Sequence, residues 1–222
     1  MSDTRPIHHN YEEQPMYIFR RTRAVKPDQI ADGMAYAVEA AAKIKSVTGR
    51  DLSVSNTIFG APNGTINFSA RFESLAELAD FTKKVAVDPG VTELSRKGAS
   101  LFANLPSDSV LNIVSSTFEG SQWGYVAITE AVPANGKIAE AVAFGVKTQA
   151  HVAKSGLKTV FATNAFGAYG AMTWATYGQT MADIDTLQNF FATDATFQTL
   201  LLETGTLFVE GSGHNSLLQR IN

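Results

Sequence analysis

The sequence predicts an α+β protein, two ferredoxin-like βαββαβ units fused in tandem. Three observations lead there. First, landmarks recur about 107 residues apart: Gly49 stands ten residues before Phe59-Gly60-Ala61, and Gly156 ten residues before Phe166-Gly167-Ala168. Ala24-Val25 recurs as Ala131-Val132, and Asp88-Pro89-Gly90-Val91 has a counterpart in Asp194-Ala195-Thr196-Phe197. A repeat of this length is too long for a solenoid and suits two fused small domains. Second, strand and helix signals alternate in the order β-α-β-β-α-β within each repeat. Third, such a unit covers one sheet face with its helices and leaves the other bare, so two units can bury their bare faces together.

In the first unit, Met16 to Val25 starts apolar and ends in Arg20, Arg21 and Arg23, a strand. Pro27 suits the first turn of a helix, where its missing N–H costs nothing. Ile30, Met34, Val38, Ala41 and Ile44 carry the helical period, and Gly49 stops it. Leu52–Phe59 and Thr65–Phe72 alternate around the turn signal Pro62-Asn63-Gly64, a hairpin. In the second of these strands Ile66, Phe68, Ala70 and Phe72 share one face, and Asn67 and Arg71 lie on the other. Ser74-Leu75-Ala76-Glu77 is a capping-box pattern for the next helix. That helix is interrupted at Asp88-Pro89 and resumes over Val91–Ala103, and Ser109–Ser115 is the closing strand.

The second unit repeats the order: strand Trp123–Val132, helix Ala134–Ser155, strand Leu157–Ala165, strand Ala171–Tyr177, helix Ala182–Glu203 and strand Thr206–Glu210. The expected organisation is a polar leader over 1–15, unit one over 16–117, a connector over 118–122, unit two over 123–210 and a mobile tail over 211–222.

Composition narrows the function classes. The hydrophobic fraction is 45% and charged residues are 18%, which marks a globular chain. A net charge of −3 gives no reason to expect nucleic acid or an anionic membrane. Cys is absent, which removes disulfides, thiolate nucleophiles and Cys-ligated metals. The leader lacks an apolar stretch and no run is long enough to span a bilayer, so a cytoplasmic protein is the expectation. Between Met16 and Gln122 there are 23 charged residues, against 12 between Trp123 and Asn222. The second half must hide more of its surface or face something apolar.

The repeat, its element order and the Asp-x-x-apolar corner at Asp88–Val91 and Asp194–Phe197 together resemble the dimeric α/β-barrel superfamily. Its members include antibiotic-biosynthesis monooxygenases and NIPSNAP-like proteins. The resemblance spans roughly residues 16–210 and implies a pseudo-dimeric α/β barrel. It identifies a fold and not a reaction. What it suggests is a cofactor-free monooxygenase, or a cyclase or isomerase, acting on an apolar aromatic or polyketide-like substrate between the units. A non-enzymatic binding protein for an apolar ligand, a haem-binding member of the superfamily and a simply packed interior are the alternatives. Further self-association into a homo-oligomer stays open.

Alternation supplies candidate site residues. With Val54, Ile66 and Phe68 turned to the helices, the first unit presents Tyr17, Phe19, Arg21, Ser55, Thr57, Asn67 and Arg71 to the space between the units. The second presents Val126, Ile128, Val160, Ala162, Asn164, Thr173 and Tyr177. One wall is polar and cationic, the other mostly apolar. Arg71 sits mid-strand, where a charge is costly unless paired or at a ligand; it pairs with a rim carboxylate or anchors a substrate anion. Asn67 is its neighbour on that face. Tyr177 and Asn164 would orient the substrate's far end, and Tyr17, Phe19, Arg21, Val126, Ile128 and Thr173 would line the pocket. Trp174 falls on the helix-facing side, and Trp123 reads as packing or interface. Gly60 and Gly167 read as hairpin glycines. No Walker loop, Gly-x-Gly-x-x-Gly or His-Glu-x-x-His occurs. His8 and His9 lie in the leader, His214 in the tail, and His151 points away from its helix's apolar stripe. No metal or other cofactor is therefore expected.

Overall fold

The computed structural model describes residues 16–119 and 122–222. The leader with His8 and His9, and Gly120-Ser121 of the connector, lie outside the described residues. The first half contains β1 (Tyr17–Ala24), α1 (Ile30–Thr48), β2 (Ser53–Phe59), β3 (Thr65–Phe72), α2 (Leu75–Val87), α3 (Pro89–Gly98) and β4 (Ser107–Ser116). The second contains β5 (Tyr125–Ala131), α4 (Ile138–Val152), β6 (Lys158–Phe166), β7 (Met172–Gly178), α5 (Met181–Thr193), α6 (Ala195–Leu207) and β8 (His214–Arg220). No described helix is long and apolar enough to cross a membrane.

Local chemistry sets the element ends. Gly49 takes the left-handed conformation at φ 75°, and its N–H donates to the Lys45 carbonyl at 2.8 Å, closing α1. The Ser74 hydroxyl accepts from the Glu77 N–H at 3.1 Å and starts α2. At each corner the long interrupted helix is two helices meeting at an aspartate. Asp88 Oδ1 accepts from Val91 N–H at 2.8 Å, and Asp194 Oδ1 from Phe197 N–H at 2.6 Å. Val91 and Phe197 then turn inward and are buried.

The eight strands of the described residues form one closed barrel in the order β1-β3-β2-β8-β5-β7-β6-β4. Within that ring each half keeps the ferredoxin-like order: β4-β1-β3-β2, then β8-β5-β7-β6. The halves meet through the antiparallel pairs β2–β8 and β4–β6. Joined edge to edge in this way, the two sheets expose no open strand edge. The helices pack outside, so the chain is a tandem, pseudo-dimeric α/β barrel.

Two expectations need correction. α6 occupies Thr206 and Leu207, where a strand was expected, and the supposed tail carries the eighth strand. Gly211, at φ 74°, makes a turn rather than a loose end. Ser212 fixes that turn: its hydroxyl accepts from Val132 N–H at 3.1 Å and donates to Val209 O at 2.7 Å. The chain then re-enters the sheet as β8, between β2 and β5.

The phase of β1 is the second correction. Ile18 and Arg20 line the barrel interior, while Tyr17, Phe19 and Arg21 face the helices. Phe19 is buried against Phe81, ring centroids 6.5 Å apart. Arg21 forms a bidentate pair with Asp108, both contacts at 2.7 Å. The cause is the repeat itself. The isolated bridges Val25–Phe102 and Pro133–Phe208 are equivalent, as are the bonds from Lys26 N–H to Leu101 O and from Ala134 N–H to Leu207 O. Val25 therefore matches Pro133, not Val132, and Ile18 matches Val126. Landmark matching is one residue short at this strand, and in a strand one residue inverts every side chain.

Apolar side chains fill two kinds of layer. Between sheet and helices of the first half lies a cluster around Val54, Ile66, Phe72 and Phe81. Each fully buried Phe or Ile contributes about 1.5–3 kcal/mol relative to exposure. In the second half the corresponding layer holds Phe161, Trp174 and Phe208, with the Trp174 indole donating to Gly145 O at 3.2 Å. Gly145 is required there: a Cβ would sit 2.1 Å from the Phe161 ring. A separate cluster, including Leu111, Val126, Val160 and Leu218, lies inside the barrel.

Candidate functional site

The barrel interior is not fully packed. It holds a cavity of about 400 Å³, bordered at the surface by Gly49 and Asp51 beside the start of β2. That size falls within the range of small-molecule sites. β2 and β3 supply Ser53, Ser55, Asn67, Ser69 and Arg71 to one side. β5, β6 and β7 supply Val126, Ile128, Val160, Ala162 and Ala175 to the other. The contrast between a polar, cationic wall and an apolar one is that expected from alternation.

Arg71 and Tyr177 lie side by side at one end of this space. Arg71 Nη1 donates to the Phe118 carbonyl at 2.8 Å, and the guanidinium lies 4.8 Å from the Phe118 ring centroid. Its Nη2 is buried with no hydrogen-bond partner, and no carboxylate pairs with it among the described residues. Phe118 in turn stacks on Tyr177, centroids 4.1 Å apart and planes 7° from parallel. Trp123 meets the same phenol edge-on at 5.9 Å. Burial pushes the Tyr177 phenol above its ordinary value, and the charge of Arg71 and its polar contact with the phenol oppose that shift. At neutral pH the phenol is therefore a protonated donor beside a fixed cation.

Further along the barrel, Arg20 Nη2 pairs with Glu130 Oε1 at 2.6 Å. Arg20 Nε donates to Ser109 Oγ at 3.3 Å, and Thr173 Oγ1 donates to Glu130 at 3.4 Å. This pair is charge-balanced, and Arg50, also at the cavity, pairs with Glu77, so among the described residues Arg71 is the cavity's cation without a carboxylate. Asn67 is held on both sides: Thr22 Oγ1 donates to its carbonyl at 2.9 Å, and its amide donates to Thr57 Oγ1 at 3.0 Å. Those bonds fix its orientation at the wall.

Of the sequence-derived residues, Arg71, Asn67, Tyr177, Val126, Ile128 and Thr173 line this cavity together. Tyr17, Phe19 and Arg21 do not, for the reason of phase given above. Asn164 does not line it either. It lies at the β6–β7 hairpin, where its amide donates to Ala168 O at 3.1 Å. Sequence reasoning missed Phe118, which the connector inserts against Arg71, as well as Ile18, Arg20 and Leu218. The signal for Ile18 and Arg20 was present as the opposite phase of β1. Nothing in the local pattern marks Phe118. Trp123, read as packing or interface, closes the same end of the cavity.

His151 is buried rather than on the surface. Its Nε2 lies 2.7 Å from Asp194 Oδ1, and its ring packs 5.6 Å from Phe190. The aspartate corner draws it inward, which helical periodicity alone does not show.

No family model and no curated protein matches the chain. Solved structures share its fold at low identity. A candidate monooxygenase from Fusobacterium nucleatum superposes with TM-score 0.72 at 10% identity, covering 94% of this chain and 93% of that one. An anthrone oxidase-like protein gives 0.65 at 12% identity, covering 95% and 93%. A haem-binding protein from Thermus thermophilus gives 0.51 at 9%, covering 94% and 92%. At such identities the likeness establishes the dimeric α/β-barrel fold and no activity.

The haem-binding relative raises the question of whether this chain could hold that group. A cavity of about 1,020 Å³ in this chain lies between the second half's sheet and α4, α5 and α6. Haem iron takes an axial His, Cys, Met or Tyr. None of these residue types lines that cavity, and His151, on the adjoining α4, is engaged by Asp194. Among the described residues, those lining this cavity do not fit haem.

Proposed function

We propose that the barrel cavity binds an electron-rich, acidic aromatic molecule and promotes its reaction with dioxygen. The carrying observation is Arg71, a guanidinium with a buried, unpartnered Nη2, set beside the Tyr177 phenol and opposite an apolar wall. A fixed cation and a neutral donor at one end of a mostly apolar cavity favour the deprotonated form of such a substrate, whose charge gathers on oxygen. The anion is the species that reacts with dioxygen. The apolar wall of Val126, Ile128 and Val160 would seat the ring system and exclude water, and Asn67, already fixed, would border it. The shared fold of an anthrone oxidase-like protein supports this reading and suggests a probe.

Anthrone is that probe. Its oxidation balances as anthrone plus dioxygen giving anthraquinone plus water: two hydrogens leave the central carbon as that carbon gains a carbonyl oxygen. The expected result is oxygen uptake equal to the anthraquinone formed, at a rate above buffer. Arg71→Ala should lower kcat/KM about ten- to a hundred-fold, the effect of losing a charge-assisted contact of about 1.5–3 kcal/mol. Its denaturation midpoint should move far less. Saturable anthrone binding without oxygen uptake would make the protein a non-enzymatic binder using the same cavity. Affinity and rate unchanged in Arg71→Ala, or a loss matched by global destabilisation, would remove the cavity from the account.

A further inference from the structure

The geometry points to a second ligand site, outside the barrel and in the first half, for an apolar carboxylate. A chamber of about 500 Å³ lies between the outer face of β1 and β3 and the three helices α1, α2 and α3. Phe19, Ile44, Leu52, Phe68, Phe81 and Val85 form its apolar walls. Arg21, Arg23, Tyr36 and Ser95 also border it. The two arginines differ. Arg21 is neutralised by Asp108 through two bonds of 2.7 Å. Arg23 has no carboxylate partner among the described residues. Its guanidinium lies 3.7 Å from the Phe102 ring centroid, Nη2 donates to Asn104 O at 3.2 Å, and Nε is buried without a partner. Burial lowers the pKa of this guanidinium, with Arg21 adding to the effect and Tyr36 opposing it. A half-buried cation with an orphaned donor is destabilised until an anion meets it.

The repeat shows that the fold does not require this charge. The same layer in the second half is the larger chamber under α4, α5 and α6, lined by Ala127, Thr129 and Ala131 of β5. By the register that matches Ile18 to Val126, these three stand where Phe19, Arg21 and Arg23 stand in β1. No Lys or Arg among the described residues lines that second chamber. Among the described residues one chain thus builds the layer twice, once with no cation and with Glu210 at its border, and once with a guanidinium at the edge of an apolar space. A carboxylate would pair with Arg23 while its hydrocarbon part fills the space behind.

Decanoate is the test ligand, titrated calorimetrically into the full chain, with decan-1-ol as its uncharged counterpart. Arg23→Gln should weaken decanoate about ten- to a hundred-fold and leave decan-1-ol unchanged. Ser95→Trp, on the exposed side of α3, should obstruct the chamber and weaken both without touching the core. Arg71→Gln, in the barrel, should change neither. The inference is overturned by an absence of decanoate binding to the native chain. It is equally overturned if Arg71→Gln abolishes binding while Arg23→Gln does not, which would put the ligand in the barrel. If Arg23→Gln weakens both ligands alike, or proves unfolded while Ser95→Trp binds normally, Arg23 is structural and the site is rejected.

Discussion

At the residue scale, aspartates do the most for the helical layer. Asp88 and Asp194 each end one helix and cap the next, and Asp183 caps α5 by accepting from the N–H groups of Gln179 and Thr180 at 2.7 and 2.9 Å. Backbone N–H donors lead the causes that hold all three carboxyls below the ordinary 3.8; Lys43 assists at Asp88 and His151 at Asp194. The sign follows from linkage. A carboxyl depressed in the folded state adds stability that is complete above its unfolded value and lost as pH falls through the folded one. Stability should therefore be level above about pH 5 and fall through 3.8 and below. Asp88→Asn with Asp194→Asn keeps capping oxygens but removes the charges. That double variant should lose less stability between neutral and acid pH than the native chain, measured as urea midpoints. Parallel pH curves for the two proteins would show that the caps act without their charge.

At the scale of elements, what could be read depended on how much of each element's identity was local. β3 was legible because Ile66, Phe68, Ala70 and Phe72 alternate with polar residues over its whole length. The αL stop at Gly49 and the aspartate corners were legible because each is a short motif with its own chemistry. β1 has apolar residues in both phases and arginines in both phases, so pattern alone could not orient it, and the repeat offset misled by one residue. β8 was the least legible. It follows Gly211-Ser212-Gly213, and His214–Arg220 lacks β-branched residues. It is a strand because two neighbours supply its hydrogen bonds and because Leu218 fills the barrel interior. The chain end is anchored as well: Ile221 N–H donates to Val54 O at 2.9 Å, Val54 N–H donates to Asn222 Oδ1 at 2.9 Å, and the Asn222 amide donates to Leu52 O at 2.7 Å. Deleting 212–222 should open β2 and β5 as bare edges. The truncated chain should lose its cooperative thermal transition and sediment as aggregate. A monomer that melts as the native chain does would show that β8 is dispensable and that closure is not what stabilises the barrel.

At the scale of the whole molecule, the candidate site is composite. Arg71 comes from the first half, Tyr177 from the second, and Phe118 from the connector between them. The polar wall belongs to one half and the apolar wall to the other, so neither half alone encloses the cavity. The same holds for stability. The halves are joined by two strand pairs and by an interior cluster drawn from both, in which Ile18 and Leu111 pack with Val126, Val160 and Leu218. A separated half would expose two open strand edges and its bare inner sheet face, which in the second half is mostly apolar, a combination that drives aggregation. Cutting the chain in the connector tests this directly, with residues 1–119 and 122–222 produced as two polypeptides. Each alone should be insoluble or partly folded. Co-expressed, they should form a one-to-one complex through β2–β8 and β4–β6 and regain anthrone binding, because every residue placed at the cavity survives the cut. The sharper contrast is with Arg71→Ala in the first fragment: the complex should still assemble, since Arg71 makes no strand pair across the junction, yet bind anthrone about ten- to a hundred-fold more weakly. A soluble, cooperatively unfolding half would mean that each unit is stable with its inner face bare. The barrel interior would then be a surface between independent domains, and the case for a site built by their union would fail.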